Sequence, residues 1–442
     1  MNSTLRSRGL TPRLRRGAAI AAALGIVIVV ALLASTASSE GSDAEPTKFF
    51  GLWRTRHVLL ALALAWSALA AAALAFSPRS CARWIAASLS IGVTFGAAEA
   101  LALVGVPHFP TRERASAVNE LGARAEPHLD VRGETGEDLA LAWGLATPKV
   151  PFHYRTDRRG FRNHVDRAEA ALYCLGDSFL VAGLLPAEEL VATRLEQRLQ
   201  RSAMNLALVG LAPQDEATLL REARVPLEGR LVLHFVFEGN DLRDSARFRT
   251  SGPAQAAAAV APSWRERSLA NRFLVWLQEI TQPAAQRAAA RAEGTIAGQR
   301  YLFHWLANSY LGFEGELEPL AACLANLRQE VEAAGGRYAV VLIPQKIRVL
   351  GPYCSAPAGT PVARWEEQLS PLPAYLASWS ARTGTPFLDL TSALRAATAR
   401  GEVPWFPADT HWNAIGHAIA AEAIAAWEPV VEWSRTSGSQ IR

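Results

Sequence analysis

From residue 171 onward, short runs of continuously apolar residues alternate with longer segments of helical pattern, and few folds accommodate such a rhythm. The apolar runs are Ala171–Leu175, Ala203–Leu208, Leu231–Phe237, Tyr338–Ile343 and the shorter Pro386–Leu388. Between and after them, Ala187–Gln200, Asp215–Arg224, Leu317–Ala334, Val362–Thr383 and Asn413–Trp427 read as helices. A strand without a polar side is covered on both faces, the condition of a parallel sheet held between layers of helices. The expected fold class is therefore α/β, with the chemistry gathered at the carboxyl ends of the strands.

The N-terminal quarter follows another pattern. Gly17–Ser35 and Val58–Phe76 carry no charge, and Trp84–Val106 carries only Glu99. About 20 apolar residues in a helix cross a bilayer core. Residues 1–106 are thus expected to form a membrane anchor with three transmembrane helices at about 17–35, 58–76 and 84–106. Five arginines precede the first run, whereas Glu40, Asp43 and Glu45 follow it. That asymmetry puts the N-terminus in the cytoplasm and everything beyond Pro107 on the extracytoplasmic side of the cell membrane. The first run also fits a cleaved signal peptide, which leaves the same final topology.

The net charge of +4 belongs to this quarter: residues 1–106 hold ten basic and four acidic groups, leaving 35 and 37 elsewhere. A nucleic-acid partner is excluded, because its binding domain would concentrate Lys and Arg on the folded part. A 50% hydrophobic content over 442 residues excludes a disordered chain. Four cysteines without a close pair exclude a disulfide scaffold and a zinc ribbon, although Cys323 and Cys354 remain candidates for one bridge.

Three further segments complete the organisation. Residues 107–170 are expected as an extracytoplasmic linker or extension, 171–428 as the α/β domain, and 429–442 as a tail. Residues 243–312 interrupt the domain with an Ala- and Arg-rich stretch broken by Pro253, Pro262 and Pro283. The spacing of Leu269, Phe273, Trp276 and Ile280 predicts an amphipathic helix in a helical insertion. It either packs on the sheet, closes over the site as a lid, or lies on the membrane surface.

Polar residues follow the strands at chemically telling places. The first apolar run ends in Gly176-Asp177-Ser178, which puts a hydroxyl at the sheet's carboxyl edge. Gly210 follows the second and can bring a backbone amide close to a substrate, and Asn240 follows the third as a side-chain amide donor. Ahead of the last helix stands Asp409-Thr410-His411-Trp412, in which the aspartate can orient an imidazole that takes the serine proton.

In these residues the chain resembles the SGNH/GDSL hydrolase superfamily over about 171–428. The resemblance implies a three-layer flavodoxin-like domain with Ser178, His411 and Asp409 as a catalytic triad. It also implies an oxyanion hole from the Ser178 and Gly210 amides and the Asn240 side chain. The third block departs from the usual Gly-x-Asn-Asp, since Glu238 takes the glycine position. The second block has Ala207 where glycine is frequent, and the acid stands two rather than three residues before His411. Asp-x-His-Trp and the segment Leu342-Ile343-Pro344-Gln345-Lys346 are similar to the alginate O-acetyltransferase branch. That branch commonly places Asp-x-His before the serine, whereas here it comes after, so this similarity is partial. Arg155–Asn163, with its Gly160-Phe161-Arg162, resembles a segment of membrane-anchored relatives whose arginines either line the cleft rim or sit in a solvated loop.

The implied function is that of a membrane-anchored extracytoplasmic serine esterase or O-acyltransferase acting on acyl, expectedly acetyl, esters of an envelope glycan or exopolysaccharide. A transferase would need an acyl-donor protein in the membrane. Neither a metal nor an organic cofactor is expected. Alternatives are a lipase or esterase on small or lipid esters, and a non-catalytic glycan-assembly protein of the same fold.

Overall fold

The computed structural model describes residues 48–49, 53–76, 78–103, 116–123, 125–143, 145, 147–252, 269, 292–304 and 312–436. The chain divides into two units, Met1–Thr111 with Val260–Ala290, and Arg112–Ala259 with Arg291–Arg442. Within the first, α1 (Thr55–Phe76) and α2 (Pro78–Leu103) pack side by side, with the Trp66 and Trp84 rings 5.2 Å apart. Both helices expose large apolar side chains, Leu60, Leu62, Leu89, Ile91 and Val93 among them. Of the three expected spans, Ala82–Leu101 is long and apolar enough to cross a membrane among the described residues. The apolar stretch of α1 is the shorter Leu60–Ala70, and the 17–35 run lies outside the described residues.

The second unit opens with α3 (Ala117–Gly122), β1 (Asp130–Thr135), α4 (Asp138–Trp143) and β2 (Val150–Arg155). There follow β3 (Leu172–Gly176), α5 (Ser178–Val181), α6 (Val191–Leu199), β4 (Ala203–Ala207), α7 (Pro213–Ala223), β5 (Leu231–Phe237) and α8 (Asp241–Ser251). A hairpin of β6 (Ala292–Ile296) and β7 (Gln299–Phe303) leads to α9 (Leu317–Ala333), β8 (Arg337–Ile343) and α10 (Lys346–Leu350). The chain then forms α11 (Leu372–Thr383), β9 (Phe387–Asp389), α12 (Thr391–Ala399), α13 (Ala414–Ala425) and α14 (Glu428–Thr436).

The central sheet has the order β9-β8-β5-β3-β4 with every pair parallel. Counted along the chain, its five strands lie in the order 2-1-3-4-5, the flavodoxin-like arrangement that reverses direction between the first strand and the third. Side chains alternate between faces, so Leu172, Cys174, Leu233 and Phe235 join one core while Tyr173, Leu175, Val232 and Val236 join the other. The first core is closed by α6, α12, α13 and α14, the second by α7, α9 and α11. This three-layer burial is why the strands read as unbroken apolar runs.

Several expectations need correction. Helix α11 begins at Leu372 rather than Val362, because Pro371 and Pro373 are tolerated only around the first turn of a helix. Cys323 and Cys354 are free and belong to the two opposite faces of the sheet, which removes the candidate bridge. The 243–312 insertion is not wholly helical: its described end is the β6–β7 hairpin, where Tyr301 and Phe303 are buried. Leu269 apart, the amphipathic stretch through Phe273, Trp276 and Ile280 lies outside the described residues. In the segment named as a tail, α14 buries Trp433, whose indole donates to Gly229 O at 3.1 Å. The 107–170 extension supplies the paired β1 and β2, which share a compact unit with the sheet.

Candidate active site

The strand order decides where polar residues can meet. In an open parallel sheet the crevice lies beyond the carboxyl ends at the reversal point, here between β3 and β5. Ser178 follows β3 and Asn240 follows β5, so the two motifs flank that crevice. Asp177 shapes the turn by accepting the Phe179 N–H at 3.1 Å, which starts the short helix α5 at Ser178. Phe179 is buried against Phe237, His411 and Trp412, with ring centroids 4.3, 5.1 and 5.3 Å away.

The Asp409–His411 loop is rigid for local reasons. Trp405 and Trp412 bridge across its ends, and the Trp405 indole donates to Thr410 O at 3.1 Å. Asn413 caps α13, its Oδ1 accepting the amides of Ile415 and Gly416, while its Nδ2 holds Val403 O and Trp405 O. Gly416 permits this closure, since a Cβ there would meet Pro404 O at 2.4 Å. Within the loop, Asp409 Oδ1 lies 2.7 Å from His411 Nδ1 and accepts the His411 backbone N–H at 2.9 Å.

The structure brings some candidate residues together and leaves others apart. Asp409 and His411 are paired. Ser178 Oγ donates to Asp177 Oδ2 at 3.4 Å, and among the described residues it makes no hydrogen bond to His411. Its two chain neighbours do reach the imidazole: the Phe179 ring packs on it, and the Asp177 charge favours its protonated form. Gly210 has φ +80 and open space where a Cβ would point, while its carbonyl accepts from Arg247 at 2.9 Å. The Asn240 amide is engaged, donating to Asp244 at 2.7 Å and to Asp177 at the long distance of 3.5 Å.

Lys346, the last residue of the Leu342–Lys346 segment, holds the loop together with Asp138 and Glu137, which no motif marks. Lys346, at the start of α10 and 4% exposed, donates to the carbonyls of Phe406, Pro407 and Asp409 at 2.7, 3.1 and 3.0 Å. Its Nζ faces the Tyr301 and Phe303 rings at 5.5 and 5.7 Å. From the other side Asp138 accepts the Thr410 N–H at 2.7 Å and donates its own N–H to Asp409 Oδ2 at 2.9 Å. Glu137 accepts the Ala408 N–H at 3.2 Å. The adjacent acids Glu137 and Asp138, set just before an apolar turn, were the only sequence sign of this role.

Electrostatics follow from burial. Desolvation opposes a charge on His411, yet Asp409, Asp138 and Asp177 outweigh it and carry the imidazole up to about 9. Burial also opposes ionisation of Asp409, but His411 and the hydrogen bonds from its ring and backbone hold the carboxyl below the usual range. Burial and the Asp409 charge push Asp138 and Glu137 up to about 7. Lys346 is lowered to about 8 by burial despite those carboxylates. Asp138 Oδ2, Asp409 Oδ1 and His411 Nδ1 lie within 4.8 Å, a cation-sized spacing, but both Asp409 oxygens already accept N–H donors.

One sequence departure and the Arg155–Asn163 segment acquire reasons. Glu238 is buried and takes bonds from Arg348 Nε at 2.7 Å, Ser370 Oγ at 2.9 Å and Gln345 N at 2.9 Å, tying the end of β5 to α10. Arg162 lines no cleft rim and faces no solvent: it is 2% exposed and donates to the carbonyls of Val181, Ala182 and Leu185 after the Ser178 turn.

With that geometry in hand, the comparison with known families is specific. Residues 306–438 match the family model described as SGNH hydrolase-like domain, acetyltransferase AlgX. That C-terminal segment is similar to an SGNH hydrolase-like domain. The matched segment holds β8, Lys346, Asp409 and His411, whereas Ser178, Gly210 and Asn240 precede it. No curated protein matches the chain.

Proposed function

We propose that the protein is an SGNH-type serine esterase or O-acyltransferase, anchored in the cell membrane with its catalytic unit outside, acting on acyl esters of an envelope glycan. The observation that carries this reading is the buried Asp409–His411 pair at 2.7 Å, set at the carboxyl edge of the sheet against the Ser178 turn. Ser178 attacks the acyl carbonyl, His411 takes its proton, and Asp409 orients the ring and stabilises the imidazolium. The Ser178 amide, at the first position of α5 and without an intrahelical acceptor, donates to the oxyanion together with Gly210. Asn240 adds the N–H that now makes only the 3.5 Å contact to Asp177. Collapse of the tetrahedral intermediate leaves an acyl-serine, which passes to water in an esterase or to a sugar hydroxyl in a transferase. The exposed apolar surfaces of α1 and α2 support the anchoring.

A fluorophosphonate probe tests the nucleophile directly. The wild-type chain is expected to be labelled and Ser178→Ala to remain unlabelled while melting at the same temperature. Equal labelling of both, or of neither, rejects the proposal. Acyl transfer to an oligosaccharide that exceeds hydrolysis of p-nitrophenyl acetate identifies the transferase.

A further inference from the structure

The segment ahead of the sheet delivers a second carboxylate to His411. Asp138 Oδ2 lies 3.7 Å from His411 Nδ1, and the Asp138 side chain is 17% exposed. Around it, two backbone segments are cross-laced: Leu139 N and Ala140 N both donate to Ala408 O at 3.1 Å, and Thr410 N donates to Asp138 Oδ1 at 2.7 Å. Asp138 N closes the lacing on Asp409 Oδ2 at 2.9 Å. Holding the Thr410 N–H requires only a neutral acceptor. A carboxylate there places a charge beside the ring, and buried charges at this range are weakly screened.

We propose that Asp138 is a positioning residue of the site, a second acid that fixes the Asp409–His411 pair and shares the charge of the protonated imidazole. This rests on the reading of His411 as the general base. The other charged groups that face this trio are Asp177 from the end of β3, Glu137 beside Asp138, and Lys346 from α10. Of these, Lys346 alone favours the neutral ring. His411 nevertheless lies above an ordinary histidine, which agrees with two carboxylates acting on it.

The test uses the full-length chain with carbon-13-labelled histidine, the His411 resonance being assigned by its loss in His411→Gln. In Asp138→Asn, which keeps an acceptor for Thr410 N–H, the His411 midpoint is expected to fall by about one unit, a roughly tenfold loss of proton affinity. The acidic limb of kcat/KM for p-nitrophenyl acetate is expected to move down by the same amount with KM unchanged. An unmoved midpoint in a variant that melts like wild type overturns the proposal, since it leaves Asp138 as a hydrogen-bonding scaffold. Should that variant fail to fold, the wild-type titration still decides. Two inflections in the His411 shift, one from Asp138, are expected, whereas a single step near 6.5, the ordinary histidine value, overturns the proposal. If Ser178→Ala hydrolyses the ester as well as wild type, the nucleophile reading fails while the titration continues to report on Asp138.

Discussion

At the scale of single residues, the proposed mechanism makes His411 the group that sets the pH response. A base must be neutral to accept the serine proton, and the carboxylates around His411 hold its proton up to about 9. Hydrolysis is therefore expected to climb about tenfold per pH unit on the acidic side and to level off only above about 9. A stopped assay of kcat/KM against pH checks this, and a plateau reached near pH 7 contradicts it. Glu238 gives a second prediction. The SGNH pattern that this segment resembles has glycine at the position, but Glu238→Gly here strips Arg348 of its buried partner. The expected cost is about 3–5 kcal/mol in urea unfolding. The substitution that brings the sequence closer to the pattern it resembles should thus harm it. Sequence reading located Glu238 as a departure and had no means to find Arg348, 110 positions later, as its reason.

At the scale of elements, α10 acts as a fastener for the acid–base loop. Lys346→Met retains the aliphatic stem among Tyr301 and Phe303 but leaves the carbonyls of Phe406 and Asp409 without their donor and that of Pro407 with Leu302 N–H alone. A loss of about 1–3 kcal/mol in stability is expected, with a lowered kcat and little change in KM. Calorimetry and steady-state kinetics read the two effects, and an unchanged kcat would show that the loop is held without Lys346. The strands were legible because double-sided burial writes itself into composition, as in Leu231–Phe237. The β1–β2 hairpin was not, since Asp130–Thr135 reads Asp-Val-Arg-Gly-Glu-Thr and is mostly exposed, leaving no apolar signature. For the same reason motif reading singled out Ser178 and His411 as candidates, whereas Asp138 and Arg162 act through backbone partners that no spacing reveals.

At the scale of the whole molecule, the sheet domain does not begin where its first apolar run begins. Arg162 braces the carbonyls after the Ser178 turn, Asn163 exchanges hydrogen bonds with Asn205 on β4, and Glu137 and Asp138 lace the 408–410 loop. A chain starting at residue 171 is expected to be insoluble or to melt without cooperativity, whereas one starting at residue 112 retains these groups. Comparative expression with calorimetry distinguishes them, and a cooperative transition from the shorter chain refutes the expectation.

The lacing between residues 137–140 and 408–410 also has a consequence for how the molecule is made. Its hydrogen bonds join positions 271 apart in the chain, so they form only after nearly all of the polypeptide has been synthesised. During vectorial synthesis Asp138 waits in water, ionised and unpartnered, while the sheet assembles strand by strand. On the proposed mechanism the Ser178 hydroxyl exists early but its base arrives last, in a loop whose lacing needs residues 137–140 and 408–410 together. That mechanism makes the nascent chain chemically silent until the final closure.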